Sequence, residues 1–283
     1  LCMGLSIGLT PIIGELFVQD EKQRMANYLG TSLLFFPIFG VVCMALQIAT
    51  EPLLYHLGQP VEVIDMALPY YRLMAYCLPF AMYYGSFKQF LEGLGNTKIA
   101  MWITLAGNIA NVVLNYIFIF GKCGIAPMGA EGAGLATLLS RVGQMGAIIA
   151  VFFLWKRLRI YRTFFNRKAV TLKHISSLLK IGYPISFQMI LESAAFILTS
   201  ILALSFGKVA AGSMQVAFSI ANVAWMITVA IGSAATILVA HIHGNRHTEE
   251  LRPTVAATYH LGLLWAAIMA VVFVTLREPI AAI

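Results

Sequence analysis

An all-α integral membrane protein, polytopic and built as two parallel-repeat lobes of six helices each, is the fold class that this sequence predicts. Three observations predict the polytopic membrane class, and an internal repeat described below predicts the two lobes. Hydrophobic residues make up 60% of the 283, charged residues only 11%, and mean hydropathy is +0.83, far from the mix of a soluble globular domain. The apolar residues gather in stretches close to the ~20 residues that a bilayer-spanning helix needs. Lys and Arg, finally, crowd into alternate connections between those stretches.

Eight stretches qualify, at 1–18, 29–49, 68–90, 99–120, 132–155, 181–206, 212–242 and 254–276. The first opens Leu-Cys-Met-Gly inside an apolar run, with neither an initiator Met nor the charged start and cleavage site of a signal peptide, so the chain is expected to be a fragment. The most polar connection is 156–180, which carries Lys156, Arg157, Arg159, Arg162, Arg167, Lys168, Lys173 and Lys180. It is the natural joint between an N-terminal lobe, 1–155, and the start of a C-terminal lobe, 181–283. Placing 156–180 in the cytoplasm puts 19–28, 91–98 and 243–253 on the same side, with Lys22, Arg24, Lys88, Lys98, Arg246 and Arg252. The opposite connections hold Lys122, Lys208 and Arg277. This is the positive-inside pattern, and it predicts a multi-pass protein of the plasma (inner) membrane. The net charge of +7 is mostly this asymmetry, which predicts contact with membrane lipid and no nucleic acid partner.

Cysteine and histidine offer no further chemistry. Cys2, Cys43 and Cys77 lie in apolar runs, where a thiol behaves as a small hydrophobe, and Cys123 stands alone near an outer loop, so no disulfide is expected. His241, His243 and His247 sit at the end of a span on spacings that do not share one helical face, which predicts no metal site. Gly129, Gly132 and Gly134 read as a close-packed helix entry. No nucleophile-base pair, metal cluster or cofactor loop emerges, so no enzyme and no cofactor are expected.

One ionisable residue interrupts the apolar stretch from Ile181 to Phe206: Glu192. A carboxyl at that depth is costly enough that it normally faces protein or a watery cavity and has a task there. On a helix turning 100° per residue, Pro184, Gln188, Glu192 and Thr199 lie within about 80° of one another, a polar stripe that should face the bundle interior. Such a carboxyl exchanges a proton, a sodium ion or an organic cation for one another. The alternative reading is a hydrogen-bonded Glu that only ties helices together. Asn108, Asn111 and Asn115 fall within about 60° on their helix and either hold a small cation through carbonyl oxygens or hydrogen-bond across helices. Gln215 and Asn222 share a face in the span after Glu192, as cavity or helix-joining groups. Arg141 lies near the middle of its span on one face with Thr137 and Gln144, and needs an anionic partner or a watery cavity. Arg72, nearer a helix end, is expected to snorkel.

Weak self-similarity crosses the joint. Thr10-Pro-Ile-Ile-Gly14 lines up loosely with Thr236-Ile-Leu-Val-Ala240, and Glu51-Pro52 with Glu278-Pro279, at a shift of about 226 residues. Glu15 and His241 correspond at inner helix ends and read as gate or interface groups. Both copies run the same way through the membrane, so the lobes would be parallel repeats. Extending the shift implies one span missing before Leu1 and ~100 further residues after Ile283.

The sequence resembles the multidrug and toxic compound extrusion (MATE) transporters over its whole length. The resemblance rests on Phe90-Leu-Glu-Gly-Leu-Gly-Asn-Thr-Lys98, on Gly107-Asn-Ile-Ala-Asn-Val-Val-Leu-Asn-Tyr-Ile-Phe-Ile-Phe-Gly121, on Gly129-Ala-Glu-Gly-Ala-Gly-Leu-Ala-Thr137, and on Gly182-Tyr-Pro-Ile with Glu192 downstream. It implies spans two to nine of twelve, in an exporter that couples a Na+ or H+ gradient to the efflux of cationic drugs and metabolites as two lobes alternate about a central cavity, working as a monomer when complete. The family's second-lobe cation-binding Glu matches Glu192. Its first-lobe polar site uses an Asn pair matching Asn111 and Asn115, with a Thr near Thr137, around an Asp on the first span, which is expected to lie before Leu1. Arg141 would then pair with that acid and compete with a bound cation. Two other readings stand beside export. A lipid-linked oligosaccharide flippase of similar architecture would line its cavity with several cationic groups, whereas Arg141 is the main one here. A non-transporting membrane assembly or receptor protein would leave Glu192 without a gradient-linked role.

Overall fold

The computed structural model describes residues 2–56, 60–122, 124–158, 160–161, 171–246 and 248–275. Among them the regular elements are all helical: α1 (Cys2–Ile7), α2 (Leu9–Val18), α3 (Lys22–Ala49), α4 (Glu51–Leu54), α5 (Val61–Gly93), α6 (Thr97–Phe120), α7 (Gly129–Leu154), α8 (Leu172–Ser205), α9 (Lys208–Gly244) and α10 (Thr248–Thr275), with a 3-10 turn at Lys156–Leu158. Within the described residues, six helices are long and apolar enough to cross a membrane: α3, α6, α7, α8, α9 over Gly212–Gly244 and α10 over Glu249–Thr275. The chain separates into two compact units, Leu1–Phe187 and Gln188–Ile283.

Two of the eight expected spans fall outside those six. The first is short, an apolar run of Cys2–Val18 that Gly8 divides into α1 and α2 while keeping right-handed helical backbone, φ −58° and ψ −16°. The other is α5, 33 residues long, whose Pro69, Pro79, tyrosines and Ser86-Phe-Lys-Gln89 run dilute its apolar character. Its position explains why it tolerates them. α5 is the central helix of the first unit, packed by α1, α2, α3, α6 and α7. A helix enclosed by protein is held by hydrogen bonds between helices, each worth roughly 0.6–2 kcal/mol in a membrane. Thr10 Oγ1 donates to Gln89 Oε1 at 2.5 Å, Tyr84 Oη shares a proton with Thr104 Oγ1 at 2.8 Å, and Ser86 Oγ donates to the Ser32 carbonyl at 3.2 Å.

The start of α8 also differs from expectation. The helix begins at Leu172, nine residues before Ile181 and inside the basic connection. Its inward stripe is Ile175, Leu178, Gly182 and Ser186, at helical spacing, while Lys173 and Lys180 are exposed. The lysines conceal that stripe from a reading of overall polarity. Arg159, Arg162, Arg167 and Lys168 of the connection lie outside the described residues, as do Cys123, His247, Arg277 and the Glu278-Pro279 pair.

What α8 packs on is a run of small residues. A Cβ added at Gly4 would lie 2.5 Å from Ser186 Cα, one at Gly8 would lie 2.8 Å from the Gly182 nitrogen, and one at Gly182 would lie 2.8 Å from the Leu5 carbonyl oxygen. Backbones this close need glycine. Lipid offers no hydrophobic reward for joining two apolar helices, so such close van der Waals packing is what fastens them. The two ends of the connection rest on the same unit, with Tyr161 edge-on to Phe90 at 5.1 Å and His174 against Tyr28 at 4.5 Å between ring centroids.

The second unit holds the remainder of α8 with α9 and α10. Phe196 meets Phe218 edge-on at 5.5 Å, and Trp265 Nε1 donates to the Ala224 carbonyl at 3.1 Å. Most of its large apolar side chains are exposed, as lipid-facing helices require.

Candidate functional site

The first unit gathers its polar groups along the α6–α7 seam. α6 presents Asn111 and Asn115 one turn apart, and α7, antiparallel to it across a short turn, brings Thr137 opposite Asn111. Asn115 Nδ2 donates to Asn111 Oδ1 at 3.0 Å, and Asn111 Nδ2 donates to Thr137 Oγ1 at 3.4 Å. The Thr137 hydroxyl in turn donates to the Ala133 carbonyl at 3.0 Å, so it can only accept from a partner on α6. One acceptor is left over: Asn115 Oδ1 is buried with no hydrogen-bond partner among the described residues. An orphaned carboxamide oxygen beside a second amide and a hydroxyl is suited to a hard cation or an N–H donor. Asn108, the third of the expected trio, is exposed and outside this set.

One turn further along α7 stands Arg141, half-buried. Its Nη1 donates to Gln144 Oε1 at 3.0 Å, and no carboxylate pairs with it among the described residues. Gln144 is only 3% exposed, and a Cβ at Gly107 would collide with its amide and aliphatic carbons. The absence of a side chain at Gly107 therefore makes the space in which Gln144 lies. An Arg at the centre of a spanning helix costs roughly 2.5–3.5 kcal/mol by insertion scales, so its retention argues for a task.

In the second unit Glu192 is half-buried on α8, and no hydrogen bond or ion pair engages it among the described residues. Its neighbours on the stripe are partly committed. Thr199 Oγ1 donates to the Ala195 carbonyl at 2.7 Å, leaving lone pairs only, and Gln188 is exposed. Gln215 and Asn222 are exposed on α9, and no hydrogen bond joins either to Glu192. The structure thus brings together Asn111, Asn115 and Thr137, and sets Arg141 a turn away; it does not link the second-unit residues by direct bonds.

Sequence reasoning missed a polar cluster where α3, α4 and α5 meet. Arg72, expected to snorkel, is instead locked to Glu51 by two bonds of 2.8 Å, Nε to Oε1 and Nη2 to Oε2. Beside it Tyr55 Oη donates to Asp65 Oδ1 at 2.8 Å, and Tyr71 Oη bonds Thr50 Oγ1 at 2.9 Å. Opposite charges at the two facing ends of a helical hairpin were the available signal. The hydrogen bond from Arg72 and then its charge hold the Glu51 carboxyl below its ordinary 4.5. A depressed carboxyl pKa contributes stability above the unfolded value, and that contribution is lost as pH falls through the lower folded value. The thermal stability of the wild type should therefore exceed that of Glu51→Gln at neutral pH, and the gap should close on acidification below about 4.5. A gap independent of pH in a melting series would exclude this role.

Glu92, in the Phe90–Lys98 motif, shows the opposite effect. Burial pushes its carboxyl up, and Lys88, with Nζ 3.7 Å away, offsets only part of this. A charged Glu92 accordingly costs the fold stability as pH rises through its raised pKa.

The description of the MatE family matches residues 1–117 and 184–283. A probable multidrug resistance protein NorM of Mannheimia succiniciproducens is 30% identical over 99% of this chain and 60% of its own length. The multidrug resistance protein MdtK of Proteus mirabilis is 26% identical over 99% of the chain and 62% of its own length. This chain therefore spans about three fifths of the length of these curated relatives. Among solved structures, an outward-facing multidrug resistance MATE family transporter of the MOP superfamily superposes with a TM-score of 0.79 at 22% identity, over 99% of this chain and 62% of that one. The eukaryotic MATE transporter AtDTX14 gives 0.83 at 17% identity, over 98% and 61%. At these identities the structures speak for the fold, a polytopic helical membrane architecture, and the family is one of transporters and not of enzymes. With matched blocks on both sides of the basic connection that cover most of its residues, the chain belongs to the MatE family.

Proposed function

We propose that this chain forms part of a cation-coupled antiporter, driven by Na+ or H+, that exports cationic drugs or toxic metabolites by alternating access. The observation that carries the proposal is Glu192: a half-buried carboxyl on a 34-residue apolar helix, with no basic partner among the described residues to hold its charge. A carboxylate so placed binds whichever cation reaches it, so proton or sodium on one side of the membrane and substrate on the other take turns. Gln188 extends the same stripe. Asn111, Asn115 and Thr137 form the first-lobe polar site, and Gln215 and Asn222 contribute cavity or lobe contacts. The names of the relatives support multidrug handling.

In this reading 1–155 is the N-terminal lobe, 156–180 a cytoplasmic connection, and 181–283 the start of the C-terminal lobe, in the plasma (inner) membrane. The substrate is a small organic cation and the protein works as a monomer among lipids without a cofactor. A flippase for a pyrophosphate-linked lipid is disfavoured, since Arg141 is the main cationic group on the α6–α7 seam. Inverted vesicles carrying the intact protein should accumulate a fluorescent organic cation when a pH or Na+ gradient is imposed, and stop when it is collapsed. Equal accumulation with and without either gradient would remove coupling and favour a non-transporting assembly or receptor role.

A further inference from the structure

We propose that the cleft where α3, α4 and α5 meet holds one phospholipid whose headgroup carries a primary ammonium, with its phosphate on Arg72 and its ammonium on Asp65. The inference needs only the membrane placement of these helices and is independent of coupling at Glu192.

The cleft measures about 410 Å³, with Ile48, Ala49 and Leu68 on its apolar side and Glu51, Tyr55 and Arg72 on its polar side. Tyr55, Tyr70 and Tyr71 gather around it, and tyrosines mark the level at which a bilayer meets water. The cleft therefore lies at headgroup depth, on the outer leaflet in the orientation proposed above. From Ala49 an apolar stripe continues down α3 through Leu46, Val42 and Ile38, all exposed and one turn apart. That stripe is a seat for an acyl chain.

Two charged groups at the cleft have bonding capacity left. Arg72 uses Nε and Nη2 on Glu51, each at 2.8 Å, and its Nη1 has no partner among the described residues. Asp65 accepts the Tyr55 hydroxyl on Oδ1 at 2.8 Å, and its Oδ2 likewise has none. Seven residues apart, the two share one face of α5, with Asp65 nearer the helix start and so nearer to water. Asp65, Arg72 and the α3 stripe thus follow one another in the order in which a phospholipid presents amine, phosphate and acyl chain.

Charge selects the headgroup. Between Thr50 and Tyr76 the acidic side chains are Glu51, Glu62 and Asp65, against the single base Arg72, so a lipid of net negative charge is repelled. A choline headgroup is neutral overall but has no N–H to give Asp65. A primary ammonium has three.

The test is native mass spectrometry of the intact purified protein, offered equimolar phosphatidylethanolamine and phosphatidylcholine with matched acyl chains. The wild type should retain the first over the second by about fivefold, as a charge-assisted hydrogen bond at an exposed site predicts. Asp65→Asn should bring that ratio below about twofold while Arg72 and Glu51 keep their pairing. Arg72→Lys keeps a charge opposite Glu51 but loses the fork, and should weaken retention of both lipids without changing their ratio. Deacylated glycerophosphoethanolamine should not displace the lipid, because it lacks the chain that lies on α3. A wild-type ratio below about twofold overturns the proposal, as does a ratio above that in Asp65→Asn, full retention in Arg72→Lys, or displacement by the deacylated headgroup. Preference for phosphatidylglycerol in the same assay would also overturn it, by assigning the cleft to an anionic lipid.

Discussion

Glu192→Gln in the intact protein should abolish the proposed gradient-driven export while the protein still reaches the membrane. Glutamine keeps the volume and the hydrogen-bonding reach of glutamate and loses its charge, so helix packing on α8 is preserved. What disappears is the charge to which the proposed antiport assigns the exchange of one cation for another. Removing a charge-assisted contact worth ~3 kcal/mol lowers a rate by about two orders of magnitude. Efflux should therefore drop to about 1% of wild type when measured as dye extrusion from energised vesicles, with expression unchanged on a membrane blot. Dye extrusion near the wild-type rate would mean that the Glu192 charge takes no part in coupling.

The largest effect on stability is expected at Gly182. Its missing side chain faces the Leu5 backbone, with 2.8 Å to the carbonyl oxygen and 3.0 Å to Cα for an added Cβ, and backbone cannot swing aside as a side chain can. Overpacking costs roughly 1–3 kcal/mol where neighbours yield and more where they do not. At about 2–4 °C per kcal/mol for a chain of this size, Gly182→Leu should lower the melting temperature by roughly 5–10 °C, and Gly182→Ala by less. Gly146 supplies the control, since nothing lies within 4 Å of a Cβ built there. Gly146→Ala should be neutral or slightly stabilising, because alanine favours a helix interior by about 1 kcal/mol over glycine. Equal melting of Gly182→Leu and wild type would show that the seam between α1, α2 and α8 is not close-packed.

Much of this architecture was legible because lipid imposes a simple rule on the sequence. Wherever a helix meets lipid, as in α6 with its exposed Met101, Trp102, Ile109 and Val112, length and hydropathy announce it. α5 fits the rule less well, although its 68–90 stretch still reads as a span: it packs on neighbouring helices, and its tyrosines, Ser86 and Gln89 speak of partners instead of lipid. The start of α8 was hidden for a different reason: period and polarity conflict between Leu172 and Lys180, and period prevails. At the candidate site, the spacing of Asn111 and Asn115 and the likeness of the surrounding motif placed both residues with Thr137, 26 residues from Asn111. Contacts between distant segments were beyond reach. Glu51 and Arg72 are 21 residues apart, and only the hairpin geometry brings them together. Likewise the spacing of Arg141 and Gln144 is visible in one helix, whereas the accommodation at Gly107 belongs to another.

The aromatic contacts at Tyr161 and His174 have a mechanical consequence. Each end of the basic stretch is clipped to the first unit by its own ring pair, one on Phe90 and one on Tyr28. Removing either ring should therefore free that end of the stretch from the first unit, while the buried Leu178 and the turns beyond it keep their seat.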